Sequence, residues 1–213
     1  RYMCESTYKK SPRSIGYPQK STAKHPPFII RINIHGWGRG GPEPNLTPKT
    51  LQKMLNILPK NFKLRIDPNG GWSRQKAQEW SSELKNETRL QWIEQPLPSK
   101  DIEGLFSLAN QIPIALDESL IEFPYLRKIW KSWQIRRPAL DGDPRLLLKE
   151  LEKEDSRTVI STAFETGIGR RWINHLAARQ VKGKNPCAPG LAPGWCPKGP
   201  LFDNNPKSVW EAA

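Results

Sequence analysis

Short β-branched runs alternate with amphipathic stretches from residue 28 onward, and this alternation limits the fold more than any other feature. "FIIRINI" (28–34), "FKLRID" (62–67), "LQWIEQP" (90–96), "IPIALDES" (112–119), "WQIRRP" (133–138) and "TVISTAF" (158–164) read as strands. Helical segments fall between and after them. In "TPKTLQKMLNIL" (47–58), Thr47 is placed as the cap and Pro48 at the first position, with Leu51, Met54, Leu55 and Leu58 on one face. Helices are also predicted over 73–84 behind Ser73, over 101–111, over 123–132, over 143–154 behind Asp143 and over 169–180. A repeat of this length with short loops implies parallel strands joined by right-handed crossovers. Two architectures satisfy that rule, an open doubly wound sheet and a (β/α) barrel, and six strands fall short of the eight a barrel needs.

The chain divides into three parts by composition. Residues 1–27 are rich in Ser, Pro and Lys and predict a leader without packed structure. Residues 28–182 carry the strand–helix alternation, and residues 183–213 form a Pro/Gly-rich segment expected to pack on it. The formal net charge is +13, and residues 1–40 hold eight Lys/Arg against Glu5 alone. Such an arm can bind nucleic acid without sequence preference. The nine tryptophans, however, fall at strand or helix phase, which predicts core roles rather than base stacking and makes a nucleic-acid partner the weaker expectation. No run of 18 apolar residues offers a membrane span. Cys4, Cys187 and Cys196 make an odd set without a paired CxxC, which argues against zinc and fits a reduced, cytoplasmic setting.

Three successive strands end in an acid: Asp67, Glu94 and Asp117, 27 and 23 residues apart. One βα unit separates each from the next, so the three are expected at one level at the carboxyl ends of neighbouring strands. In a barrel that end is the mouth where chemistry occurs. Crowded carboxylates repel unless a cation joins them, and hard oxygen donors point to Mg2+. Asn69 and Gln95, just beyond two of the acids, are candidates to orient them.

"LRIDPNGGWS", "WIEQPLP", "PIALDES" and "ISTAFETGIGR" occur in order, with "APGLAPGW" behind them. Together they resemble the enolase superfamily, and within it the o-succinylbenzoate synthase family in its cyanobacterial form, over roughly residues 45–213. The resemblance implies a (β/α) barrel of enolase type, here incomplete because the capping domain and first barrel strand have no counterpart. It implies a lyase with Mg2+ on Asp67, Glu94 and Asp117. Its substrate would be a small carboxylate, dehydrated to 2-succinylbenzoate on the way to menaquinone or phylloquinone. Ser161, Thr162 and Gly167 become candidates for substrate contact, since glycines opening a helix can hold an anion. The family also uses a Lys-x-Lys pair and a further lysine. The corresponding positions here are Arg31 and Asn33 ("IIRINIHG") and Arg137 ("IRRPALDG"). Arginine supplies charge but is a poor base, and asparagine takes no proton. His35 is a substitute base only by proximity.

These departures leave alternatives open: a racemase or epimerase sharing the metal triad, or a barrel remnant without activity. Intact motifs after residue 45 and unfamiliar sequence before it lead to the expectation of a fragment whose first 40 or so residues are out of frame, against a decayed paralogue. "GWGRGG" (36–41) fits a dinucleotide-binding spacing, but Pro42 and Pro44 interrupt the helix that such a loop must open.

Overall fold

The computed structural model describes residues 3–4, 28–33, 46–58, 61–183, 186–192 and 197–213. His35, the 36–41 glycine run, Cys196 and residues 5–27 of the leader lie outside the described residues.

The polypeptide builds one sheet in sequential strand order: β1 (Met3–Cys4), β2 (Phe28–Asn33), β3 (Phe62–Asp67), β4 (Leu90–Glu94), β5 (Ile114–Leu116), β6 (Trp133–Arg136) and β7 (Thr158–Ile160). β2 to β7 are parallel, and β1 runs antiparallel along β2 with Met3 opposite Arg31. The sheet curls rather than staying open, so the barrel reading is the one that holds, and the barrel is incomplete.

The helices are α1 (Pro48–Ile57), α2 (Arg74–Leu84), α3 (Ile102–Ala109), α4 (Glu118–Glu122), α5 (Leu126–Ile129), α6 (Pro144–Leu151), α7 (Gly167–Lys182) and α8 (Pro206–Glu211). The caps follow local chemistry. Thr47, Ser73 and Asp143 each accept a hydrogen bond from a first-turn amide, as their positions in the sequence require, and Asp101 does the same for α3.

Several stretches differ from expectation: Met3–Cys4 of the leader pairs with β2, the strand over 158–164 ends at Ile160, and the helix over 123–132 contracts to Leu126–Ile129. The strand over 112–119 shrinks to Ile114–Leu116, because the backbone turns at Asp117 and α4 starts at once. The Pro/Gly-rich tail contains α8, capped by Asn205 with Pro206 at its first position. That signal is the same one that marks α1 and α6.

Side chains sort by strand parity. Ile32, Leu64, Ile66, Ile93, Ile114 and Leu116 face the helices and join Leu51, Leu55, Trp80 and Leu105 in the larger core cluster. The alternate residues Trp92, Ala115, Ile135 and Val159 face inward, and Cys187 joins them with Trp133 against it. Trp92 and Trp133 lie 4.7 Å apart between ring centroids, and the Arg65 guanidinium covers Trp92 at 4.0 Å.

Residues 186–190 run into this interior. Gly190 bridges Ser161 in parallel fashion, its N–H donating to the Ile160 carbonyl. Arg65 Nη2 donates to the Ala188 carbonyl at 2.9 Å and to Cys187 Sγ at 3.1 Å. A Cβ added to Gly190 would meet Ser161 Oγ at 3.1 Å and Arg31 Nη1 at 3.7 Å. The segment therefore reaches from β7 towards β2 and β3, across the side of the barrel that the six strands leave open.

Candidate active site

The inward face continues to the carboxyl end of the sheet. Asn33 pairs in register with Asp67, and Ile66 with Ile93, so Asp67 and Glu94 stand side by side. Glu94 pairs with Ala115, which puts Asp117 two residues further along than equal level. Parallel strands that curl into a barrel tilt and stagger, and parity keeps all three acids on the same face. All three are buried.

Two arginines meet them. Arg31 Nη2 donates to Asp67 Oδ2 at 2.6 Å and to Glu94 Oε1 at 2.9 Å, while its Nε donates to Asn33 Oδ1. Arg137 forks onto Asp117, with Nε on Oδ1 at 2.8 Å and Nη2 on Oδ2. The remaining oxygens are also engaged. Asp67 Oδ1 accepts the Asn69 amide at 2.9 Å, and Glu94 Oε2 accepts Trp92 Nε1 at 3.4 Å. The positions expected to match the family's lysines thus hold guanidiniums paired to acids and an amide.

Of the two residues expected to donate to the acids, Asn69 donates its backbone amide to Asp67 and Gln95 donates to none of them. Gln95 is buried; its Oε1 accepts the amides of Asp117 and Ser119, and its Nε2 donates to Ser119 Oγ. It therefore sets the turn that carries Asp117. Asn69 and Gln95 both hold positive φ, at 50° and 38°, so strain is concentrated behind two of the three acids.

Ser161, Thr162 and Gly167 follow β7. The Ser161 hydroxyl donates to the Gly190 carbonyl, and Thr162 Oγ1 bonds Glu165 and accepts the Phe164 amide. Gly167 opens α7 against the main chain of Asp203, where a Cβ would overlap the carbonyl oxygen. Arg170 reinforces that contact by donating to the Phe202 carbonyl.

Glu118 is a mouth residue that the sequence reading passed over. It stands next to Asp117, and its Oε2 is buried with no hydrogen-bond partner. Burial, and then the neighbouring Asp117, push its carboxyl up to about 7. The signal in sequence was a second acid directly after a strand-end acid, in "LDES". Arg65, buried beneath the mouth, was legible only as an unexplained cation in an apolar run.

Charge at the mouth is unbalanced. Asp67, Glu94, Asp117 and Glu118 face Arg31 and Arg137, an excess of two negative charges when all are ionised. Burial pushes Glu94 up to about 8, against the pull of Arg31 and helped by Asp67 and Asp117. For Arg31 burial acts downward, but Glu94 and Asp67 outweigh it and hold the guanidinium above its ordinary value. In donor chemistry and charge, the set fits one divalent cation. Among the described residues, however, no group of three His, Cys, Asp or Glu side chains is gathered to hold a metal ion, and Arg31 stands between two of the acids.

The raised Glu94 makes a prediction for the metal-free chain. Its folded state keeps a proton that the unfolded state releases above its ordinary value of 4.5. That contribution to stability is therefore full below about pH 4.5 and is lost as pH rises towards 8. Glu94→Gln removes the titration. In chelator-treated buffer its melting temperature should match the parent's near pH 5 and exceed it at pH 9. Parallel curves for the two chains would show that Glu94 is ionised throughout.

Comparison with known proteins agrees with the fold. The enolase C-terminal domain-like family model matches residues 30–135. An o-succinylbenzoate synthase of Thermosynechococcus vestitus is 35% identical over 150 residues, 66% of this chain and 47% of that protein. The o-succinylbenzoate synthase of Citrobacter koseri is 26% identical over 70% of this chain and 46% of its own length. The chain spans about half the length of these curated relatives. The crystal structure of o-succinylbenzoate synthase from Thermosynechococcus elongatus, complexed with Mg in the active site, superposes with a TM-score of 0.64. It is 26% identical and matches 90% of this chain and 69% of that one. A dipeptide epimerase from Cytophaga hutchinsonii shares the fold at a TM-score of 0.58 and 20% identity, with 80% of this chain and 46% of that one covered. Among the described residues no helix is long and apolar enough to cross a membrane.

Proposed function

We propose, for a chain that resembles the o-succinylbenzoate synthases of the enolase superfamily along their C-terminal barrel portion, that it serves the Mg2+-dependent dehydration of a succinyl-hydroxycyclohexadiene carboxylate to 2-succinylbenzoate. The observation that carries this reading is the inward-facing row Asp67, Glu94 and Asp117, buried at the carboxyl ends of three neighbouring strands. These three would hold Mg2+, which when bound neutralises charge developing on a substrate carboxylate and so eases loss of the α-proton. Gln95 and Asn69 orient Asp117 and Asp67 through the hydrogen bonds described above. Arg137 contributes fixed positive charge beside Asp117. Trp92, Trp133, Ile135 and Val159 form an apolar floor below the acids. Ser161 and Thr162 lie on the β7–α7 connection and Gly167 opens α7, the side from which the substrate's second carboxylate would be held.

A second reading has its own observation. Neither Asn33 nor Arg31 can accept the α-proton, and Arg31 and Arg137 are both bonded to the acids. A barrel that binds metal and substrate without turnover is consistent with that. The test is incubation of the chain with the substrate and Mg2+, following product absorbance and, in D2O, exchange of the α-proton. Product that depends on Mg2+ and falls at least about a thousandfold in Asp67→Asn supports the lyase. Substrate binding with neither product nor exchange supports the silent barrel. Exchange with retention of the hydroxyl supports an epimerase-type activity.

A further inference from the structure

The six oxygens of Asp67, Glu94 and Asp117 are each engaged by an N–H of the chain itself. Two of those donors are held by the fold, the Asn69 amide and the Trp92 indole, and they leave little room to move. The others are guanidinium groups at the ends of long side chains. A single nitrogen, Arg31 Nη2, is the bond donor to the facing oxygens of both Asp67 and Glu94. An ion bridging those two acids needs the same oxygens. Arg31 also has somewhere to go. About a quarter of its side chain is exposed, at 27%, whereas the acids show 7% and 3%. Gly190, without a side chain, lies against its Nη1.

We propose that Arg31 and a divalent cation are alternative occupants of the gap between Asp67 and Glu94, so that Arg31 is the residue that sets how tightly this mouth takes its metal. The proposal rests on the metal-binding reading above and adds a competitor from within the chain. In the metal-free state, Arg31 donates to both buried carboxyl groups and supplies positive charge between them. On metal binding, the guanidinium withdraws along β2 towards solvent, and the two oxygens pass to the ion. Arg137 bonds Asp117 alone and does not enter the gap between Asp67 and Glu94. Metal affinity is then lowered by the free energy of the displaced ion pairs, and removing the guanidinium returns it.

The experiment is a titration of the full chain with Mn2+, reading free ion by electron paramagnetic resonance, for the parent, Arg31→Ala, Arg31→Lys and Glu94→Gln. Arg31→Ala is expected to bind Mn2+ about tenfold tighter or better than the parent, and Glu94→Gln to lose binding. In a parallel melt, millimolar Mn2+ should raise the melting temperature of Arg31→Ala by more than it raises the parent's. Arg31→Lys keeps the charge but loses the planar fork, and should bind a few times tighter than the parent. If the alanine variant does not fold without metal, recovery of its fold on adding Mn2+ supports the exchange, and no gain for Arg31→Lys overturns it. Equal binding by the parent and Arg31→Ala overturns the competition and leaves the metal reading standing. Failure of every chain to bind Mn2+ overturns both.

Discussion

Gly167→Ala is expected to destabilise the protein by about 3 kcal/mol or more in urea unfolding, and to expose the C-terminal segment to protease before global unfolding. A methyl at this position is driven into the carbonyl oxygen of Asp203, with a Val209 methyl also close at 3.0 Å. Main chain cannot swing aside as a side-chain tip can. The opposing effect is small, since alanine gains at most about 1 kcal/mol over glycine in a helix, and less at its first residue. Sterics therefore decide the sign. Detachment of α8 and the turn at Pro200–Phe202 is the cheapest relief, and it also costs the Arg170 bond to Phe202. Were Gly167 needed only to admit a substrate anion, the variant would fold as well as the parent and lose affinity alone. A stability change under about 1 kcal/mol would favour that role.

The second large effect belongs to the floor of the mouth. Trp92→Ala should cost about 4 kcal/mol, within the range for truncating a fully buried tryptophan. Trp92 has no exposed surface, and its ring lies between Trp133 and the Arg65 guanidinium. Truncation opens a cavity, removes a cation–π partner from a buried cation and takes the indole donor from Glu94. Trp92→Phe keeps most of the apolar volume and should cost about half as much. The pair of variants asks whether an incomplete barrel has a packed interior. Losses near 1 kcal/mol for Trp92→Ala would mean that water already reaches the floor.

Much of the architecture was legible because its signals are local. A capping side chain followed by proline marks α1 and α6 within a few residues, and parity places Asp67, Glu94 and Asp117 on one face once the strands are known. The same proline rule would have found α8 at Asn205–Pro206, had the glycines and prolines around it not argued for loop throughout. Residues 186–190 could not be read this way. They carry no period, and what holds them are Arg65, Gln180 and Ser161, between 7 and 123 positions away. At the mouth the residue types were evident, but not the pairing. That Arg31 joins two acids, 36 and 63 residues on, is a property of the curled sheet. Glu118 was overlooked because an acid at the first turn of a helix is ordinary, and only burial makes it unusual.

The segment at 186–190 has a consequence for the order in which the protein can assemble. Arg65 lies on the second parallel strand and bonds Gln91 on the next, yet the carbonyl and thiol that its Nη2 also reaches belong to residues 188 and 187, more than 120 positions later. During synthesis, β3 to β6 and their helices are complete long before those partners emerge from the ribosome. Until then the cation faces an inside lined by Trp92 with its far wall absent. Closure is therefore a late event, made across long loops and slow for that reason. The early sheet waits half-wrapped, with its inner surface available to chaperones or to other nascent chains.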